Sequence, residues 1–349
     1  MMAYSSNRLE GIAWLPDREG SASLALTNTT GEPLSVTATT RRRLDAVNRG
    51  FILGPHQTRL VDVKEGLDFR GPSEPTAIVS LQHTGAPGAL IVTGFALNLR
   101  TGFSSNLFFA DPSTARTTRL AGAHVRFGQV SSREGFPAGT TFAAAMVIAN
   151  ISNEVSKAHL WVDYTLGGLP GRVDLGQLSL APGGFQNLDL AAEMLGLGVP
   201  GPVDDAGVDI EYGAAPGSVI ARIVSFDHTQ DFSFDVPMKD PLAEMMGVNT
   251  GGYPWRLDGG YNTVVHLKNS TAKPVDAIMQ IRYDEGNYNP ELIKLGPHQT
   301  VAVDIRRLRD AQQRDIRGGV MPRDVISGQV KWIEMEPGSL IGRAEVVNV

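Results

Sequence analysis

The sequence predicts an all-β chain built as three tandem two-sheet sandwiches, each with a short crossover helix. Three observations carry that prediction. Short segments alternate apolar and polar residues, Gly and Pro turns fall regularly between them, and one set of landmarks returns in the same order about every 120 residues. At 349 residues the chain exceeds what one hydrophobic core organises, and with 42% hydrophobic residues each third can bury a core of its own. Its 39 Gly and 21 Pro are scattered between apolar runs, which is the texture of strands joined by tight turns and not of a disordered tract.

The first landmark is a strand ending in Asn: LALTNTTGEPL from Leu24, MVIANISNEV from Met146 and VVHLKNSTAKPV from Val264. Asn28, Asn150 and Asn269 are separated by 122 and then 119 positions. The second is a Pro turn leading into a strand that ends in Asp: LGPHQTRLVDV from Leu53, LAPGGFQNLDL from Leu180 and LGPHQTVAVDI from Leu295. The third is a Pro-Gly turn between two apolar strands, at Pro87-Gly88, Pro216-Gly217 and Pro337-Gly338. Pro fixes φ at the second turn position and Gly supplies positive φ at the third, the requirement of a type II turn.

In the first copy the pattern places strands near 21–27, 34–41, 50–53, 58–63, 76–83, 89–98 and 104–110, with the helix before the fifth. Leu24 with Leu26, Met146 with Ile148, and Val265 with Leu267 each line one strand face at period two. Asp62, Asp189 and Asp304 precede helix-like stretches and read as N-caps, with Glu65 completing a capping box in the first copy. In the third copy Val330 and Trp332 sit one residue later relative to the turn than Val79 and Leu81, so its hairpin register differs. Trp14 and Trp255 lie equally far before their copies' Asn and mark the same entrance to a domain, and Phe127 stands in that place in the middle copy. Residues 1–10 are read as an N-terminal tail and 11–112 as the first sandwich. A linker with the second sandwich follows over 113–240, and a linker with the third over 241–349.

An apolar strand, an Asn-rich turn, a second strand, then Leu-x-Pro-x-x-Thr and a strand ending in Asp: this succession resembles the immunoglobulin-like repeats of secreted bacterial proteins. It is similar to the domains described as cell-adhesion-related or PapD-like in uncharacterised multi-repeat exported proteins. The resemblance covers most of each copy, and its motifs are turn motifs, which specify fold class. It implies a periplasmic, cell-surface or extracellular location and supplies no catalytic residues.

A net charge of -6, from 31 basic and 37 acidic residues, offers no bulk positive field to a phosphate backbone, so nucleic acid is not an expected partner. Arg41, Arg42 and Arg43, with Arg49 nearby, form the dense basic run; they could bind an anion, and a solvated strand end is the simpler reading. With no cysteine, disulfides, thiolate zinc sites and cysteine nucleophiles are excluded together. No apolar stretch approaches the roughly 20 residues of a spanning helix. The opening MMAYSSNRLEG has neither the basic start nor the apolar centre of a secretory leader, so either a leader has been removed or the protein stays inside.

HExxH, GxxxxGK[ST] and GxSxG are absent. The seven histidines, His56, His83, His124, His159, His228, His266 and His298, include no two spaced as ligands on one strand or helix, so no metal or cofactor is expected. His56 and His298 share one hexapeptide and read as exposed turn residues, while His266, between Val265 and Leu267, is expected on a solvent face. The run 227–231 offers two carboxylates and an imidazole, and loop solubility explains it more cheaply. Tyr253, Trp255 and Tyr261 cluster beside glycines as aromatic platforms for sugar rings do, against which packing at a domain junction explains Trp255 more simply. Asn28, Asn150 and Asn269 each open an Asn-x-Ser/Thr triplet, and a local Asx-type turn accounts for all three.

The sequence is therefore read as a non-catalytic extracytoplasmic protein for surface structure, adhesion or assembly, with a protein or surface glycan as partner. A carbohydrate-binding module using Tyr253, Trp255 and Tyr261 is the second reading, and an enzyme with a composite interdomain site is the third. The first two copies are followed by a further strand, and the sequence given stops before an equivalent. If that strand completes its own sandwich, the last copy has an edge that Met2–Leu9 of another copy could fill in head-to-tail association. The simpler reading is that the strand belongs to the next domain or that the sequence is part of a longer protein.

Overall fold

The computed structural model describes residues 6–15, 20–43, 45–65, 76–129, 136–167, 169–199, 203, 205–227, 232–243 and 252–348. The first unit comprises β1 (Arg8–Trp14), β2 (Ser21–Asn28), β3 (Leu34–Arg41), β4 (Ala46–Leu53), β5 (Thr58–Asp62), β6 (Thr76–His83), β7 (Leu90–Leu97), β8 (Ser104–Leu107) and β9 (Phe109–Ala110). They form two antiparallel sheets, ordered β4-β3-β6-β1-β9 and β5-β2-β7-β8. Ala22, Leu24 and Leu26 of β2 and Leu34, Val36 and Ala38 of β3 point into the space between them, as the period-two pattern requires.

Here the expected tail needs correction. Arg8 and Leu9 belong to β1, which pairs with β6 in register Leu9↔Leu81 and Ile12↔Ile78. The strand is buried on both faces from Leu9 to Trp14, so it shows no apolar-polar alternation by which to find it.

The second unit contains β10 (Arg119–Ala123), β11 (Gly128–Gln129), β12 (Thr141–Asn150), β13 (Ser156–Leu166), β14 (Leu169–Leu180), β15 (Phe185–Asp189), α1 (Leu190–Gly196), β16 (Asp205–Tyr212), β17 (Val219–Asp227) and β18 (Ser233–Pro237). Its sheets are β10-β16-β13-β14 and β11-β12-β17-β18, with β15 added to β12. The third contains β19 (Tyr253–Arg256), β20 (Tyr261–Asn269), β21 (Val275–Tyr283), β22 (Gly286–Tyr288), β23 (Ile293–Leu295), β24 (Thr300–Asp304), α2 (Ile305–Asp310), β25 (Ser327–Glu334) and β26 (Leu340–Asn348). Its sheets are β19-β25-β21-β22, with β23 on β21, and β24-β20-β26. Each unit has its own apolar cluster.

The landmark residues do the same local work in each unit. Asn28, Asn150 and Asn269 are buried. The Asn150 amide donates to the carbonyls of Glu154, Leu180 and Ala181 at 2.6, 3.1 and 3.1 Å, and its Oδ1 accepts from the backbone and hydroxyl of Ser152. Asn28 and Asn269 repeat this with Glu32, Leu53 and Gly54, and with Lys273 and Gly296. Each Asn thus ties the end of one strand to the Pro turn that follows two strands later in the first and second units and three in the third. In that turn His56, Gly183 and His298 all have left-handed backbone, φ 54, 65 and 56°, a region in which His is enriched among side-chain-bearing residues. The Pro-Gly turns have Gly at φ 83, 78 and 71°, as a type II turn demands.

Asp189 caps α1 through the Ala191 and Ala192 amides, and Asp304 caps α2 through the Arg307 amide. The expected helix of the first copy falls largely on 66–75, outside the described residues. Asp62 accepts from the Lys64 amide, but Glu65 closes no capping box; its carboxylate meets the Arg49 guanidinium at 2.7 Å instead. The altered register of the third copy is present: Met279 faces Trp332, five residues before its turn Pro, whereas Ala38 and Leu160 face Leu81 and Ile210, six before theirs.

Candidate functional site

The units are joined through sheet faces that would be wet in an isolated sandwich. Val147, Ala149, Ile151, Ile220 and Val224, on the outer face of β12 and β17 and the turn after β12, complete the apolar cluster of the first unit. Trp14 of β1 meets Phe226 of β17 at 5.0 Å between ring centroids. Arg222 of β17 is buried in this joint, where it donates to the Ile12 and Asn106 carbonyls and pairs with Asp235 and the Ser105 hydroxyl.

The joint between the second and third units holds two closed groups of titratable side chains. On β13 and β16, Leu160, Val162, Val208 and Ile210 fill the core, so Asp163 and Asp209 face outward. On β20, Val265 and Leu267 fill the core, so His266 and Lys268 face outward. The two outward faces meet. Lys268 is fully buried, with Nζ 2.8 Å from Asp163 Oδ2, 3.3 Å from Asp209 Oδ2 and 3.1 Å from the His298 carbonyl. His298 Nδ1 lies 3.2 Å from Asp209, and Arg172 approaches both carboxylates at 3.5 and 3.7 Å. Burial pushes the Asp163 carboxyl up to about 6 against the pull of Lys268, whereas at Asp209 the Lys268 and His298 charges outweigh burial and hold the carboxyl below its usual range.

The second group is centred on Glu345 of β26. Its oxygens take Arg126 Nη1 at 2.8 and 2.7 Å and His266 Nε2 at 2.9 Å, and Arg343 lies 3.5 Å away. Burial would raise this carboxyl, but Arg126, Arg343 and His266 hold it well below the usual range. The His124 ring, from the segment after β10, stacks on His266 with centroids 3.7 Å apart and planes 13° apart. Burial drives both imidazoles down, His266 to about 4. The Arg126 guanidinium also lies over the Phe234 and Phe136 rings, 4.5 and 5.3 Å from their centroids.

His124, His266 and Glu345 carry ligand atoms close together, as do Asp163, Asp209 and His298. Neither trio fits a metal as it stands. Imidazole lone pairs lie in the ring plane, and the two stacked rings are nearly parallel, so their lone pairs do not converge on one ion. In the other trio the Lys268 ammonium already occupies the space between the carboxylates.

The expectation that His266 faces solvent is overturned: alternation turns it away from its own core correctly, but the second unit covers that face. His56 is exposed while His298, in the same hexapeptide, is docked against Asp209. Asp227 accepts the Phe232 amide, and the rest of 227–231 lies outside the described residues. Of the three aromatic candidates, Trp255 is in the third core with its Nε1 donating to the Arg282 carbonyl. Tyr253 is partly exposed, stacked on Trp332 at 4.7 Å, and Tyr261 lies under the Arg256 guanidinium. They share no common platform. Tyr253 instead borders a cleft of about 640 Å³ between all three units, lined also by Phe95, Phe108, Asp235 and Arg343.

Comparison with known proteins returns no match: no family model, no curated protein sequence and no solved structure is significantly similar to the chain.

Proposed function

We propose that this protein is a non-catalytic, extracytoplasmic structural element in which three sandwiches are locked into one stiff body for adhesion or assembly. The observation that carries this reading is the use of its charges. Lys268, Asp163, Asp209, Arg126, Glu345 and Arg222 are each nearly buried, and each is paired across or beside a joint between units. Groups that would serve as acid, base or nucleophile in an open cleft are here closed to a substrate, and isolated beads on a string would leave them in water. Immunolabelling of intact and lysed cells of the producing organism tests the location. Turnover of any member of a broad panel of ester, glycoside, peptide and phosphate substrates would overturn the non-catalytic reading.

Assembly through a strand edge is part of the same proposal. Among the described residues β26 pairs only with β20, whereas its counterparts β7 and β17 also carry β8 and β18. Within the expected donor Met2–Leu9, Arg8 and Leu9 are paired in β1 of their own unit and Ser6 is bonded to Asp111. Light scattering at high concentration that finds only monomer removes self-association.

A second reading is favoured by the three-unit cleft, where the half-exposed rings of Tyr253, Phe95 and Phe108 offer stacking surface to a glycan. Glycan-array binding lost on Tyr253→Ala supports it. The Trp255→Ala variant is unsuited to the test, since that ring is part of the core.

A further inference from the structure

The stacked histidines belong to different units and are both buried. His124 is 2% and His266 1% exposed. His124 is held with φ at 59°, a conformation that the surrounding contacts must impose on a residue bearing a side chain. The groups that face the pair can be named element by element. From the same segment as His124 comes Arg126, from β26 come Arg343 and Glu345, and from β16 comes Asp205, whose Oδ1 lies 3.4 Å from His124 Nδ1. The Arg343 guanidinium also donates to the His124 carbonyl at 3.2 Å.

With both rings neutral this arrangement is consistent. His266 donates from Nε2 to Glu345, two guanidiniums flank one buried carboxylate, and the ring faces cover each other. Neither nitrogen of His124 nor the Nδ1 of His266 makes a hydrogen bond, the Asp205 carboxylate standing off His124 Nδ1 at 3.4 Å. A proton added to the His266 ring therefore creates a buried N–H donor with nothing in hydrogen-bonding geometry to receive it, and at His124 it is faced only by the Asp205 carboxylate, 3.4 Å from Nδ1. It also places positive charge beside Arg126 and Arg343, while Glu345 is already shared by Arg126 and His266.

We propose that the His124–His266 stack is an acid-release element for the joint between the second and third units: neutral rings hold the joint closed, and protonated rings open it. The sign follows from linkage. Separated units take up these protons near the ordinary value of 6.5, but the closed joint resists them, to about 4 at His266. The closed state therefore binds fewer protons in that window, and its stability falls as pH drops from 6.5 toward 4 and levels off below. Asp163, at the other end of the joint, acts in the opposite sense. Its carboxyl is raised from 3.8 to about 6, so the closed state takes up that proton more readily and is favoured by it. Two imidazoles act against one carboxyl, and the net effect of acid is opening.

The test is small-angle scattering with far-UV circular dichroism on the whole chain at pH about 7.5 and about 5. The expected result is a larger radius of gyration at the lower pH with the strand spectrum retained, because a joint opens while sandwiches persist. The double variant His124→Asn, His266→Gln should stay compact at both pH values. Asn tolerates the left-handed backbone, and Gln retains a donor for Glu345. Should the double variant not fold at neutral pH, His124→Asn alone is read, with the midpoint of expansion expected to move to lower pH. The proposal fails if the unmodified chain keeps one radius at both pH values, if it expands only with loss of the strand spectrum, or if the variants expand as the parent does.

Discussion

Replacing Asn150 by Ala tests the local logic of the sandwiches most sharply, because one side chain makes five hydrogen bonds in a space closed to water. Three run from its amide to the carbonyls of Glu154, Leu180 and Ala181, and two run to its Oδ1 from Ser152. A net hydrogen bond contributes about 0.5–1.5 kcal/mol, and a buried polar group left without its partner costs about 1–3 kcal/mol. Summed with allowance for relaxation of the turn, Asn150→Ala is expected to destabilise by about 3–5 kcal/mol, the upper range for single substitutions. Urea unfolding monitored by tryptophan fluorescence measures this as a fall in midpoint at constant slope. The exposed Asn153, next along the chain from Ser152, serves as control, with Asn153→Ala expected within about 0.5 kcal/mol. A loss below about 1 kcal/mol for Asn150→Ala would refute the latch, since it would mean the three carbonyls find other partners without cost.

Other substitutions probe the joints and the cleft. Lys268→Met strands Asp163 and Asp209 together in a dry interface and should cost about 3–5 kcal/mol by thermal or urea unfolding, with much of the loss recovered when both carboxylates are also changed to Asn. Trp255→Ala should cost about 3–5 kcal/mol, whereas Tyr253→Ala, at the rim of the cleft, should cost about 1 kcal/mol or less. Arg222→Ala should loosen the first joint, seen as faster protease cleavage between residues 111 and 119 with little change in the far-UV spectrum, because it removes contacts to both Ile12 and Asn106.

What the sequence shows of this molecule depends on whether a position's neighbours are near or far along the chain. Period-two alternation located β2, β3 and β20, and the Pro-Gly and Asn landmarks located their turns, because those signals are satisfied within one strand or one hairpin. Strand β1 escaped because burial on both faces erases alternation. The joints escaped for the complementary reason. Alternation correctly turns His266, Lys268, Asp163 and Asp209 away from their own cores, but nothing local tells a strand whether its outer face meets water or another sheet. One signal was present: His266 and Lys268 are successive outward residues on one strand, and two outward Asp stood on strands of the neighbouring unit. Pairing them requires knowing which sheets stack, and the three-unit cleft beside Tyr253 follows from the same packing.

That the three sandwiches behave as one body is the claim from which the rest is built, and scanning calorimetry of the whole chain at neutral pH tests it most directly. Buried, charge-paired joints predict a single heat-absorption peak whose van 't Hoff and calorimetric enthalpies agree. Two or three resolved transitions, each with the enthalpy of a domain of roughly 100 residues, would show that the units melt independently and that the buried pairs do not couple them.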